Sequence, residues 1–210
     1  MGRAFLLAHD LGTTGNKATL YDETGRLAAS AFEGYATHYD SPGWVEQDPA
    51  SWWTAVCRAS AAVMERAGID KHAVAAISFS GHMMGCVPVD DAGRPLRRAI
   101  IWADQRAGDQ VDVLLREMTI EEIYRITGTR PNPNYTLEKT MWLRDHEPDL
   151  FKRARFVLQA KDYIISRLTG EYVTDHSDAS ATNAFDLVKK EWSDEILSIA
   201  GIPGRLFPPA

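Results

Sequence analysis

The sequence predicts an α/β domain whose mixed sheet is flanked by helices. Two observations carry that reading. Three apolar runs, at residues 5–8, 18–21 and 26–32, are separated by two turn signals and predict an antiparallel meander at the N-terminus. Beyond it, runs of strand length alternate with segments of helical periodicity, the order that builds a sheet with helices packed on it. The 210 residues are 45% hydrophobic and 25% charged, an ordinary globular balance with room for a sizeable core. That length makes one large domain or a piece of something larger.

The elements follow in order. Asp22-Glu-Thr-Gly25 supplies the turn into the third strand. A loop over residues 39–49 ends in Asp48-Pro49, an N-cap followed by a proline suited to the first helical turn. The helix runs to about Ala67, and Gly68 stops it. Trp52, Val56, Ala59 and Val63 recur at helical spacing and should face the core. Residues 74–80 form a short apolar run that predicts a buried strand. Residues 86–90 and 98–102 predict two more strands, with a turn at Asp91-Ala-Gly93 between them. Thr119-x-x-Glu122 is a capping box opening a short helix that ends near Gly128. Residues 136–146 read as helix, 156–158 as strand, 161–168 as a helix closed by Gly170, 171–173 as a short strand and 193–200 as a last helix. The stretch after Gly201 reads as a connection leaving that helix, so the sequence is expected to be part of a longer chain.

Composition narrows the function. A formal net charge of −6 with no basic run argues against nucleic acid or an acidic membrane as the main partner. Cys57 and Cys86 have no metal-like spacing, and six scattered histidines form no His-x-x-x-His pair. No signal-peptide pattern or membrane-length apolar run is present, and the expected location is the cytoplasm.

Three loops carry the chemistry. Asp10-Leu-Gly-Thr-Thr-Gly-Asn-Lys17 lies at the tip of the first hairpin. Asp10 suits a hydrated Mg²⁺, which keeps several waters and takes few protein carboxylates. Gly12 and Gly15 let backbone N–H groups turn toward an anion. Thr13 and Thr14 add neutral donors, and Lys17 a point charge. A phosphate site with its metal fits this set, although a plain Gly-Thr hairpin turn would read the same way. It is not a Walker A loop, because no Gly-Lys-Ser/Thr follows and the next segment reads as strand. In Ser80-Gly-His-Met-Met-Gly85, the glycines permit close approach, so that His82, Met83 and Met84 line whatever binds. Methionines filling a core gap are the plainer alternative. In Trp102-Ala-Asp-Gln-Arg106, Trp102 offers a flat apolar wall and Asp104 an acceptor for hydroxyls. Arg106 can donate to oxygens or orient Asp104. Polyols need that mix, and a surface ion pair beside a core Trp is its alternative. Residues 174–180 read nearly as well as a capped turn as they do as a site.

In this order the segments resemble the N-terminal half of the FGGY carbohydrate kinases, most closely their xylulokinases. The matching stretches are the Asp10 hairpin, Pro42-Gly-Trp-Val-Glu-Gln-Asp-Pro49, residues 80–85 and Ile101-Trp-Ala-Asp-Gln-Arg106. They continue with Lys139-x-x-Trp142, Lys161-Asp-Tyr163 and Thr174-Asp-x-x-Asp-Ala179, and together span essentially the whole chain. The resemblance implies a ribonuclease H-like domain of the actin and sugar-kinase superfamily. Residues 1–210 would be most of its N-terminal, sugar-binding domain, and a C-terminal domain of the same protein would hold most of the adenosine site. It implies ATP-dependent phosphorylation of a sugar or polyol hydroxyl with Mg²⁺, by a protein for which a homodimer is one possible assembly. This portion alone is expected to be inactive.

By the same resemblance Asp10 is the carboxylate linked to Mg²⁺ through water. Thr13, Thr14 and Lys17 contact phosphate, and Met83, Met84, Trp102, Asp104 and Arg106 belong to the sugar pocket. The base is expected in a Gly-rich loop beyond residue 210, so neither Asp175 nor Asp178 takes that role. There are departures. His82 and Met84 stand where xylulokinases usually show Gln and His, which leaves D-xylulose itself open. Glu138 and Thr140 depart from the signature around Lys139. Met83-Met84 stand where glycerol kinases place Arg-Glu, which disfavours glycerol. Two other readings share the scaffold: a non-catalytic sugar-binding or regulatory protein, and an actin-like ATPase. The intact Asp10 turn argues against the first, and Trp102-x-Asp104-x-Arg106 against the second.

Overall fold

A computed structural model describes residues 4–210. The chain divides into two compact units, the first ending at Thr37 and resuming over Asp48–His82, the second comprising His38–Gln47 and Met83–Ala210.

Strands β1 (Phe5–Leu11), β2 (Gly15–Asp22) and β3 (Leu27–Gly34) form the antiparallel meander that the sequence predicts. Asp22 builds the second turn, its Oδ1 accepting from the backbone N–H of Thr24 and Arg26. The chain next supplies β4 (Glu46–Gln47) to the second unit and returns as helix α1 (Pro49–Ala67). The Asp48 side chain caps α1 by accepting from Ala50 N–H, and Gly68 closes it in the left-handed conformation. Trp52, Val56, Ala59 and Val63 are buried, as their spacing requires. β5 (Val74–Gly81) then adds parallel to β1, giving the mixed order β3-β2-β1-β5. Phe5, Leu7, Ala18, Leu20 and Ala31 pack from the sheet against Ala59 and Val63.

β5 differs from expectation. Its apolar run predicts a buried strand, yet Ala75, Ala76, Ile77 and Ser78 are exposed. The strand is at the sheet edge, and α1 lies over β2 and β3, so nothing among the described residues of this unit covers it. An apolar run records what a strand can bury, not whether a neighbour is there.

In the second unit, β6 (Val87–Val89) precedes β7 (Ala99–Ile100), which pairs with β4, and a bridge joins Cys86 to Ile100. The strand expected over residues 98–102 is this short because Asp104 N–H bonds Ile101 C=O and turns the chain. Helices α2 (Gly108–Glu117), α3 (Ile120–Thr127), α4 (Thr136–His146) and α5 (Pro148–Arg153) follow. The Thr119–Glu122 capping box of α3 is reciprocal, and Gly128 closes that helix at φ +69°. β8 (Phe156–Leu158) pairs antiparallel with β6 and leads into α6 (Ala160–Thr169) and α7 (His176–Ser180). A hairpin of β9 (Phe185–Asp186) and β10 (Glu191–Trp192) precedes α8 (Asp194–Ala200). Residues 171–173 form no strand; the backbone after them is satisfied by the C-terminal loop, where Thr174 N–H donates to Pro209 C=O. Asp175 caps α7, so that polar stretch is a helix start. The core of the unit gathers Leu114, Ile123, Leu137, Met141, Ile196 and Phe207.

Candidate active site

The hairpin of the first unit presents polar groups from a rigid sheet. Alternation along β1 buries Leu7, His9 and Leu11 and leaves Asp10 on the open face. The register sets Asp10 opposite Lys17 on β2 and Ser80 on β5, so the three side chains form a row across that face. Ser80 Oγ donates to Asp10 Oδ1 at 3.2 Å. Lys17 and Thr14 are exposed, and Thr13 is half-buried. Beneath the row, His9 is buried, with Asn16 and Ser60 hydrogen-bonded to its ring; burial lowers its pKa. It is a structural histidine.

The glycines do not behave as the sequence suggests. Neither Gly12 nor Gly15 has positive φ. Gly12 N–H donates to Gly15 C=O at 3.0 Å, and Gly12 C=O accepts from Tyr35 Oη. The Gly12 amide therefore closes the turn instead of facing an anion. Gly15 is needed for a different reason: a Cβ there would lie 2.5 Å from Glu33 C=O on the neighbouring strand. Burial, and then the nearby charge of Asp10, raises the pKa of Tyr35, so it stays a hydrogen-bond donor. His82, expected near a ligand, packs its ring edge-on to Trp52 at 5.2 Å between centroids.

The second unit holds an open cavity of about 550 Å³, lined by Met84, Trp102, Thr129, Asn132, Asn134 and Tyr135 among others. Trp102 is 39% exposed and offers its ring as a wall. Asn134 Nδ2 donates to Trp102 C=O at 2.5 Å, tying two walls together. Met84 and Trp102 thus line one cavity, whereas Met83, exposed and adjacent to Met84 in the chain, is not part of its lining. Asn132, Asn134 and Tyr135 escaped the sequence reading. Their signal was the Asn-Pro-Asn run just before α4, which reads as an ordinary turn.

Asp104 and Arg106 require a correction. Both are expected in the pocket, yet their side chains are 0% and 1% exposed. Asp104 accepts from Val45 N–H and from Arg106 Nη2 through Oδ2, and from Arg106 N–H and Nε through Oδ1. Those bonds use the whole accepting capacity of a carboxylate. Arg106 also pairs with Glu46 at 2.8 Å, and Arg97 bridges Glu46 to Glu147. The Arg106 guanidinium lies 3.8 Å from the Trp44 ring centroid and 4.9 Å from that of Trp142. This buried network binds the segment around β4, the loop after β7 and helix α4 into one support. Asp104, at its centre, has no free acceptor for a sugar hydroxyl.

Two buried carboxyl groups are held toward their neutral forms. Burial pushes Glu138 up to about 7, against hydrogen bonds from Asn183 Nδ2 and Asn132 N–H that favour its charged form. Burial, and then the charge of Asp178, likewise raises Asp162 to about 7. Among the described residues, no group of three or more His, Cys, Asp or Glu is placed to hold a metal, and no helix is long and apolar enough to cross a membrane.

Residues 5–210 match the N-terminal domain of the FGGY family of carbohydrate kinases. Over 209 residues the chain is 37% identical to a glycerol kinase of Thermococcus onnurineus, covering 97% of itself and 42% of that protein. It is also 37% identical over 199 residues to a xylulose kinase of Escherichia coli, covering 95% of itself and 40% of that protein. A solved gluconate kinase from Lactobacillus acidophilus superposes with a TM-score of 0.92 at 31% identity, over all of this chain and 42% of that one. The chain thus spans about two-fifths of the length of these relatives. The superposition confirms the ribonuclease H-like α/β fold that the resemblance implies. The equal identities to a glycerol and a xylulose kinase favour neither substrate. This chain belongs to the FGGY family of carbohydrate kinases.

Proposed function

We propose that this chain is the N-terminal, sugar-binding portion of an ATP-dependent kinase that phosphorylates a hydroxyl of a sugar or polyol. The exposed carboxylate of Asp10, held in register between Lys17 and Ser80, carries the reading. Phosphoryl transfer asks the protein mainly for positioning and charge neutralisation. Lys17 supplies a cation, and Thr13 and Thr14 supply hydroxyl donors to phosphate oxygens. Asp10 would hold Mg²⁺ through water. The fit is chemical: Mg²⁺ bound with a nucleotide needs one or two carboxylates and keeps waters, so a single open carboxylate suffices. When bound, that ion would neutralise phosphate charge.

The cavity beside Trp102 would take the hydroxyl compound. Its ring would cover the C–H face of a polyol, while the Asn132 amide, and the capacity that Asn134 keeps after bonding Trp102 C=O and Gln105 Nε2, would supply donors and acceptors. Met83 and Met84 stand where glycerol kinases place Arg-Glu, which disfavours glycerol as the substrate. The hydroxyl proton needs a base, and the described acids offer none at the cavity, since Asp104 is saturated. A C-terminal domain of the same protein, beyond residue 210, would supply the base and most of the adenosine site. A cytoplasmic location and possible pairing as a homodimer belong to this reading; fractionation and sedimentation check them.

The test is ATP consumption by the full-length protein across ketopentoses, pentitols, glycerol and gluconate. Turnover on one ketose, polyol or sugar acid supports the proposal. ATP turnover independent of all of them would favour an actin-like ATPase.

A further inference from the structure

Buried side chains hold the backbone of the cavity walls in place. Met84 adopts φ +64°, a left-handed conformation uncommon for a residue with a side chain. Two buried side chains hold its peptide groups. Gln159, at the start of α6, accepts from Met84 N–H through Oε1 at 2.6 Å, and its Nε2 donates to Asp178 C=O. Lys139, on α4 and 0% exposed, donates from Nζ to Met84 C=O at 2.7 Å and to Asn134 C=O. Asn134 in turn holds Trp102 through its carbonyl. One ammonium therefore ties together the loop after β5 and the loop before α4, and one more hydrogen bond extends the tie to the loop after β7. Those are the three loops that carry Met84, Asn134 and Trp102 into the cavity.

We propose that Lys139, with Gln159, is a positioning residue for the hydroxyl substrate, setting the cavity's affinity by fixing these walls rather than by touching the reacting atoms. The inference rests on the reading of the cavity as the sugar site. A buried cation without a carboxylate in ion-pairing contact is a costly way to hold two carbonyls. Hydrogen bonds from a charged donor are correspondingly strong and fix geometry. The charged and titratable groups around it are Glu138 on its own helix, Asp104 and Arg106 after β7, and the Cys86 thiol before β6. Burial leads their combined effect and lowers the Lys139 pKa to about 7. The clamp is therefore tightest on the acid side of neutrality and weakens as the ammonium loses its proton.

The test is Lys139→Met in the full-length protein. The substitution keeps the shape and removes a buried charge, so the fold should survive. The expected result is a KM for the hydroxyl substrate raised roughly tenfold or more, the scale of a charged hydrogen bond. The ATP KM and kcat should stay within about threefold. Wild-type substrate KM should climb as pH rises through about 7, and that climb should vanish in the variant. An unchanged substrate KM, or a loss of kcat with KM intact, overturns the proposal. Should Lys139→Met not fold, Gln159→Met takes its place: a rise confined to the substrate KM supports the clamp, and an unchanged KM overturns it. Failure of both to fold makes the pair purely structural and also overturns it. Wild type is assayed in parallel. Wild-type turnover with an unchanged variant KM defeats only the positioning role. No hydroxyl-dependent turnover by wild type defeats the sugar-site reading, and this inference with it.

Discussion

The hairpin of the first unit and the cavity of the second use charge in opposite ways. At the hairpin, Asp10 and Lys17 are exposed and displayed by a sheet whose own core is apolar, His9 and its hydrogen bonds apart. At the cavity, the lining is mostly aromatic, thioether, hydroxyl and amide, with Arg130 as an exposed cation, while Asp104, Arg106, Lys139 and Glu138 lie buried in the same unit. Exposed charge in the first unit is available to act on a ligand. Buried charge in the second is spent on holding loops, because a carboxylate with all its acceptor sites filled or an ammonium sealed under two carbonyls has nothing left to offer. Residues of one chemical type therefore carry different work in the two regions, and burial decides which.

Substitutions that exchange the two kinds of charge sharpen this contrast. Asp10→Ala should lower kcat by about a thousandfold or more, the scale of several kcal/mol of lost charge stabilisation. Its melting temperature should barely change, and steady-state kinetics with a thermal melt checks both. Arg106→Ala should do the reverse, lowering stability by about 3–5 kcal/mol by leaving Asp104 a buried carboxylate without a cation, while Glu46 keeps its pair with Arg97. Arg106→Lys should recover only part of that loss, since an ammonium cannot copy the bidentate fork or the stack on Trp44. Denaturant titration measures each, and an Arg106→Ala protein of normal stability would break the contrast.

Trp102→Ala should raise the KM for the hydroxyl substrate roughly tenfold through lost apolar contact, with ATP binding untouched. The smallest effect is a tilt in stability with pH. Folded Glu138 keeps its proton to about 7, whereas an unfolded glutamate loses it near 4.5. The folded state then binds more protons in that window, so stability falls as pH rises through it. Glu138→Gln, uncharged throughout, should flatten that part of the fall in a series of melts, leaving the share that Asp162 contributes in the same direction.

How much of this the sequence discloses depends on how local the cause is. The caps at Asp48, Thr119 and Gly68 are readable because the bonds span a few residues. The display of Asp10 is readable because a strand alternates every second residue. Asp104 is not, because its accepting capacity is filled partly by Val45, 59 residues earlier in the chain. An ion pair looks the same in sequence whether it is buried or wet. The exposure of β5 is hidden for the matching reason, that an apolar run does not say what covers it. Residues 171–173 look like a strand but lie where the C-terminal loop takes the next hydrogen bond. Lys139 was visible as part of a family stretch, but its role needs Met84 and Asn134 brought beneath it by the fold.

The most direct test of the division of labour is to measure phosphoryl transfer and substrate binding together in Asp10→Ala of the full-length protein. Turnover by coupled assay and substrate affinity by calorimetry would be read on the same preparation. Lost turnover with a wild-type substrate Kd is the predicted result. Near-normal turnover, or turnover and substrate binding lost together, would contradict the proposed separation of the exposed Asp10 row from a cavity held by buried charge.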